Sequence, residues 1–214
     1  LQQEVSEVGS YFSIIKAIAA GNHKLSAIAA VLEAKSTNLT KYLKTLMDLD
    51  ILERRVPVTE ENPEKSKRGL YKIKDNYLRF WFAFIYPNMS FIESGHSGIV
   101  MDKIRKGLTT SHIGFVYEDI CQERMWELNV NNAWPFQFSK LGGYWDSKNE
   151  IDIAALDPEG KNLILGECKY WKEPVGLNVL HALETKACDV AWERDRRKVW
   201  YVLFSISGFS DENY

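Results

Sequence analysis

Cysteine is scarce. The 214 residues hold three, Cys121, Cys168 and Cys188, an odd number with no CxxC spacing. Neither a disulfide scaffold nor a structural zinc site is therefore expected, and a reducing, cytoplasmic setting is. The four histidines, His23, His96, His112 and His181, form no HxxxH pair, so structural or surface roles are expected of them. No apolar run approaches the roughly 18 residues of a bilayer span. No basic stretch precedes a short apolar core, so no signal peptide is expected. The chain opens on Leu1 rather than Met, which reads as part of something longer. Internal repeats and low-complexity tracts are absent. A surplus of one charge is absent too: 27 Lys and Arg stand against 29 Asp and Glu, a net of −2. That excludes a uniformly basic nucleic-acid coat but leaves room for a local basic patch. What is present is ordinary globular composition, 45% hydrophobic and 26% charged, which excludes a mostly disordered chain.

Composition shifts mark three regions: 1–75, an aromatic connector over 76–107, and 108–214. In the first, Tyr11, Phe12, Ile14, Ile15, Ile18 and Ala19 recur at helical spacing, and Gly21-Asn22 is a helix stop. A short helix over about 24–32 follows. Ser36 reads as the N-cap of a third helix through Leu49, with Leu39, Tyr42, Leu43, Leu46 and Met47 as its apolar stripe. Two strand-like runs, 51–56 and 69–73, flank a polar loop.

Three helices followed by a β-hairpin is the order of a winged helix-turn-helix. Its later helix would present Ser36, Thr37, Asn38, Thr40, Lys41 and Lys44 off the apolar stripe, where they could meet phosphates or bases in the major groove. The hairpin, as a wing, would add Arg54, Arg55, Lys65, Lys67 and Arg68. Residues 1–75 carry 12 basic and 10 acidic side chains, and Glu60, Glu61 and Glu64 share the loop. A packing or linker module is therefore the alternative. The connector, residues 77–86, is apolar nearly all round, which predicts a buried helix ended by Pro87.

The third region reads α-β-β-β-α-β: a helix over about 112–128, strands near 136–145, 150–156 and 162–170, a helix over 177–194, and a strand over 198–206. Gly142-Gly143 suggests a bulge in the first of these strands. Leu163-Ile164-Leu165-Gly166 is apolar on both faces, as suits a central strand covered by helices. Asp157-Pro158-Glu159-Gly160 is a turn signal. If those four residues form the turn, Leu156 pairs with Lys161 and Asp152 falls opposite Leu165. Asp152 then shares a face with Glu167 and Lys169, one diagonal step of roughly 7–8 Å away. A one-residue slip would turn it to the other face. Two carboxylates and a lysine so placed can hold Mg²⁺ or Mn²⁺ and activate water for attack on a phosphodiester. The other reading is a surface salt-bridge network at a strand end. Cys168 points away and reads as a buried structural thiol, although its carbonyl could reach the metal. Glu150 reads as a flanking residue.

Glu150-Ile-Asp152 with Gly166-Glu-Cys-Lys169 resembles the PD-(D/E)xK nuclease motif, with Ile151 in place of the proline. Many members of that superfamily add an acidic residue from the first helix, and Glu118 stands where it would be expected. The resemblance implies a restriction-endonuclease-like domain in which Asp152, Glu167 and Glu118 are metal ligands and Lys169 assists the attacking water. Tyr71–Trp81, Ile92-Glu-Ser-Gly95, Gly142-Gly-Tyr-Trp145 and Gly-Glu-Cys-Lys169 together look like the C-terminal half of a family of archaeal and bacterial AAA-type ATPases. In that family a P-loop ATPase precedes a winged helix and a nuclease-like domain. No GxxxxGK[ST] occurs here, so the resemblance puts any ATP site outside this chain.

The sequence thus leads to an α+β expectation: an N-terminal winged helix-turn-helix followed by a restriction-endonuclease-like domain. The expected activity is metal-dependent DNA cleavage by a module of an ATPase-linked protein, with DNA and the N-terminal ATPase domain as partners. The alternatives are a non-catalytic DNA-binding or partner-binding regulatory tail, and a winged-helix transcription regulator.

Overall fold

A computed structural model of the chain describes residues 2–210; Leu1 of the expected first region and residues 211–214 of the third lie outside them. The protein is mixed α+β and divides into two compact units. One runs up to Arg55 and resumes over Lys65–His112. The other takes Val56–Glu64 and the residues from Ile113 onward.

In the first unit, α1 (Gln2–Ala19), α2 (Leu25–Val31) and α3 (Ser36–Asp48) precede β1 (Leu52–Arg55) and β2 (Leu70–Ile73). The apolar stripes close on one core of Ile14, Ile18, Ile28, Leu43, Leu46 and Leu52, all 2% exposed or less. Gly21, at φ +92°, ends α1 as its sequence signal predicts, because a left-handed turn costs glycine little. β1 and β2 pair antiparallel, Leu52 with Ile73 and Arg55 with Leu70. At α3 the N-cap is Lys35, not Ser36. Lys35 adopts the extended backbone a cap requires and offers no side-chain cap, while Ser36 is already helical.

The connector is not one helix. α4 (Asn76–Phe80), capped by Asp75 Oδ1 accepting from Leu78 N–H at 2.7 Å, runs into a wide π-type turn over Trp81–Ile85. A 3₁₀ turn over Tyr86–Asn88 leads to α5 (Met89–Glu93) and then α6 (Ser97–Leu108). Pro87 therefore does not end the helical path. The backbone tightens around it, and the buried Asn88 amide donates to Phe84 O at 2.8 Å, in the helix that proline disrupts. Phe82 and Phe84 are buried, and their neighbours on the turn are half-buried.

The second unit follows the expected α-β-β-β-α-β order: α7 (Gly114–Val130), β3 (Lys140–Trp145), β4 (Glu150–Asp157), β5 (Asn162–Lys169), α8 (Leu177–Asp189) and β6 (Lys198–Ser205). The sheet order is β3-β4-β5-β6. The first two pairings are antiparallel, and β6 joins β5 in parallel after the α8 crossover. Cys121 and Met125 of α7 cover one face, with Ile153, Ala155 and Ile164. Leu183 and Ala187 of α8 cover the other, with Ala154, Leu156, Leu163 and Leu165. Strands buried on both sides lose polar alternation, which is why β5 reads as a continuous apolar run.

The register differs from the sequence expectation by two residues. Leu156 pairs with Leu163, not with Lys161, and Ile153 with Gly166. Asp157 holds the turn open: its Oδ1 accepts from Gly160 N–H at 2.9 Å and its Oδ2 from Asn162 Nδ2 at 2.7 Å. Lys161, at φ +55°, joins the turn instead of the strand. An even shift leaves the side chains of the regular β4–β5 ladder on their expected faces. A bulge then adds a second adjustment. Gly142 opposes Ala154 and Tyr144 opposes Ile151, so Gly143 stands opposite both Asp152 and Ile153. Among the described residues no helix is long and apolar enough to cross a membrane.

Candidate functional site

The ladder between β4 and β5 stops at Ile153–Gly166, and Asp152 lies just beyond it, inside the bulge. Bulges re-aim side chains, and this one brings Asp152 to the end of β5. Its Oδ2 accepts from Cys168 N–H at 2.8 Å and lies 3.7 Å from Lys169 Nζ. On β5, Glu167 and Lys169 are two residues apart, so their side chains emerge together. Lys169 Nζ donates to Glu167 Oε2. Gly166 permits this arrangement, because a Cβ there would lie 2.6 Å from Val202 Cγ1 and 2.9 Å from the Val202 carbonyl of β6. Of the four residues named from the sequence, Asp152, Glu167 and Lys169 are thus brought together.

A further member was not foreseen. Lys186 of α8 donates to Glu167 Oε1 at 2.5 Å and to the Glu150 carbonyl at 2.7 Å. Val179, Leu183 and Ala187 form the buried stripe of α8. Lys186, three residues after Leu183, borders that stripe. A lysine at the margin of a buried stripe, with a stem long enough to reach a strand end, was the available signal.

The Glu167 side chain is 5% exposed, and Asp152 16%. Burial pushes Asp152 upward, as does the charge of Glu167, against the Cys168 N–H and Lys169, and its pKa reaches about 6. Burial also opposes ionisation of Glu167, but hydrogen bonds from Lys169 and Lys186 outweigh it and hold Glu167 below the usual carboxylate range. Burial works against the Lys169 ammonium, and the Glu167 and Asp152 carboxylates more than restore it. The result is an asymmetric pair, one carboxylate firmly ionised and one that holds a proton into mildly acidic conditions.

Glu118 is half-buried on α7, and its charge, like that of Asp152, acts on the Cys121 and Cys168 thiols. Among the described residues, no set of three or more His, Cys, Asp or Glu side chains is grouped closely enough to hold a metal ion. The carboxylates of Asp152 and Glu167 are hard oxygen donors that suit a divalent cation. Both oxygens of Glu167 already accept from lysines. Cys168 packs with Cys121 on the α7 face, and a hydrogen bond to Cys121 and burial push its thiol far up, so it stays protonated at neutral pH.

In the first unit, Thr37, Asn38, Thr40, Lys41 and Lys44 are exposed on α3, opposite the buried Leu39, Leu43 and Leu46, and Ser36 is half-buried at its start. In the hairpin, Lys65, Lys67 and Arg68 are exposed. Arg55 pairs with Glu53 at 2.5 Å, and Arg54 Nη2 donates to Ser66 O at 2.5 Å. All eleven side chains therefore lie at the surface or its margin.

Residues 81–187, half the chain, match DUF234, a family described as archaeal and bacterial proteins of unknown function. An uncharacterized protein of Methanocaldococcus jannaschii is 40% identical over 173 residues, which make up 81% of this chain. The aligned residues span 38% of that relative's own length. No solved structure matches the chain.

Proposed function

The chain belongs to the DUF234 family of archaeal and bacterial proteins of unknown function, and we propose that its second unit hydrolyses DNA phosphodiesters with a divalent metal. In this reading the second unit is a restriction-endonuclease-like domain and the first a winged helix that engages DNA. Both would belong to the C-terminal part of an AAA-type ATPase. A relative that extends well beyond the matched residues leaves room for such a domain. One observation supports the reading: Asp152, Glu167 and Lys169 meet at the end of a buried strand, where burial first and the charge of Glu167 second raise the pKa of Asp152 to about 6. Buried like charges are costly unless a cation, a proton or a function compensates.

Asp152 and Glu167 would hold Mg²⁺ or Mn²⁺, with Glu118 auxiliary from α7. When bound, the metal supplies Lewis-acid polarisation of the phosphate and a water of lowered pKa. The chain's own contribution is positional. Cys168 N–H fixes the Asp152 carboxylate. Lys169, cationic and adjacent to both carboxylates, would orient the attacking water and offset charge in the transition state. Lys186 anchors Glu167 to α8 and keeps it ionised.

The test is cleavage of linear, nicked and branched DNA with Mg²⁺ or Mn²⁺, by the parent chain and by Lys169→Ala and Asp152→Asn. Products that require metal and vanish in both variants support the assignment. A specific observation favours a second reading: both oxygens of Glu167 are already paired with lysines. In that reading the cluster is an ion-pair network tying α8 to β5, and the chain is a non-catalytic DNA-binding or partner-binding tail. Absence of cleavage in the full-length ATPase, together with lost stability in Lys186→Met, would select it.

A further inference from the structure

The first unit contains a cavity of about 370 Å³ where the hairpin meets the starts of α2 and α3. Lys24, Ser26, Ser36, Arg54, Ser66 and Lys67 supply its polar lining, and none of the described lining residues is acidic. In a chain of net charge −2, three cationic side chains and three serines around one cavity make a local exception. The frame is rigid. Lys24 forms an isolated antiparallel bridge to Leu70, Tyr71 N–H donates to His23 O at 2.8 Å, and buried Tyr71 joins the cavity wall. Arg54 is held by its 2.5 Å bond to Ser66 O and lies over Gly69, where an added Cβ would collide with its guanidinium. The start of α3, a 13-residue helix, has no side-chain cap. Its first-turn N–H groups and the positive end of its dipole add to the basic lining.

We infer that this cavity is a phosphate-binding site, which takes one phosphate group by charge from Lys24, Arg54 and Lys67 and by hydrogen bonds from Ser26, Ser36 and Ser66. The phosphate could be part of a nucleic-acid backbone or free. The backbone case rests on the reading that the first unit engages DNA. The site itself involves no step at Asp152, Glu167 or Lys169.

The experiment uses the chain carrying Lys169→Ala in EDTA, so that hydrolysis plays no part. Binding of a labelled 20-base-pair duplex is followed by fluorescence anisotropy across a salt series, for this chain and with Lys24→Ala, Lys67→Ala or Gly69→Ala added. Loss of one phosphate contact lowers the slope of log K against log salt by about one. Each lysine variant is expected to do so. Gly69→Ala, which keeps every charge but displaces the Arg54 guanidinium, is expected to weaken binding as well. In a second arm, inorganic phosphate is titrated while backbone amide resonances of Ser26, Ser36 and Lys67 are followed. Shifts there, lost in the variants, support the site with free phosphate as its source even if duplex binding is unaffected. Unchanged duplex affinity together with unmoved amides overturns the proposal. So does an effect of the lysine variants with none from Gly69→Ala, since bulk charge would then explain the data. Circular dichroism and thermal melting establish that each variant is folded.

Discussion

Lys186 on α8 and Glu167 on β5 form a direct ion pair, Nζ to Oε1 at 2.5 Å, and the same ammonium donates to the Glu150 carbonyl at 2.7 Å. One side chain thus ties the crossover helix to the ends of both central strands. The Glu167 carboxylate is almost fully enclosed, so its partners replace the water it has lost.

Removing Lys186 should therefore cost stability. A hydrogen bond to a charged group contributes about 1.5–3 kcal/mol, and the partner left behind is a buried carboxylate. Lys186→Met retains the stem and deletes the charge. Urea unfolding at pH 7 should show a loss of that order. The loss should shrink at low pH. Glu167 is held below its ordinary pKa, so its pairings contribute stability above about pH 4.3, and that contribution disappears as pH falls through the lower native value. A Lys186→Met curve parallel to the parent across this range would contradict the assigned pair.

Asp152 predicts the opposite sign. Its native pKa of about 6 lies above the roughly 3.9 of an unfolded aspartate, so between those values the native state binds more protons. Stability should fall as pH rises from about 4 to 6 and then level off. Metal binding requires the ionised form. Mn²⁺ affinity, measured by calorimetry, should therefore rise about tenfold per pH unit below 6 and flatten above 7, with Asp152→Asn abolishing both binding and slope. Affinity independent of pH between 5 and 7 would remove Asp152 from the ligand set.

Much of this centre was readable from residue order, for identifiable reasons. Glu167 and Lys169 are local, two apart on one strand, and strand geometry alone puts them together. The expected register is two residues out because the turn takes in Lys161; an even error conserves facing along the regular ladder, but that ladder ends before Asp152, which reaches Lys169 and the Cys168 N–H through the bulge. The bulge that aims it was suggested by Gly142-Gly143, but which residue of β4 it would displace depends on cross-strand pairing. Lys186 escaped because its role depends on α8 crossing a particular strand end, a relation between residues 19 positions apart. The break at Trp81–Asn88 escaped because an all-apolar run carries no period to mark where a helix widens.

Asp157 offers a control for the candidate ligands. It is a buried carboxylate on the same strand as Asp152, yet its two oxygens accept from Gly160 N–H and Asn162 Nδ2 within the turn. Asp157→Ala should destabilise the chain by about 1–3 kcal/mol, since two donors lose their acceptor. Mn²⁺ affinity of the folded variant should match the parent. A fall in metal affinity comparable to that of Asp152→Asn would mean that stability, rather than ligation, governs binding.

Gly166 tests how closely β6 must approach the site. A Cβ there meets Val202 Cγ1 at 2.6 Å, the Val202 carbonyl at 2.9 Å and Ile153 Cβ at 3.2 Å. The valine methyl can rotate away, but the carbonyl belongs to a parallel ladder in which Gly166 and Val202 are partners. Relief therefore requires β5 and β6 to separate next to Glu167. Gly166→Ala should cost about 1–3 kcal/mol, the usual range for overpacking a filled interior. Val202→Ala in the same chain should restore part of it, by removing the methyl contact and leaving the carbonyl one. Gly143→Ala is the matched comparison. Its nearest neighbours, Trp145 Cζ3 at 3.4 Å and Ile151 O at 3.5 Å, are at ordinary contact distance, so its melting temperature should stay near that of the parent. Equal losses at the two glycines would show that backbone freedom, and not the approach of β6, is what the sheet requires at Gly166.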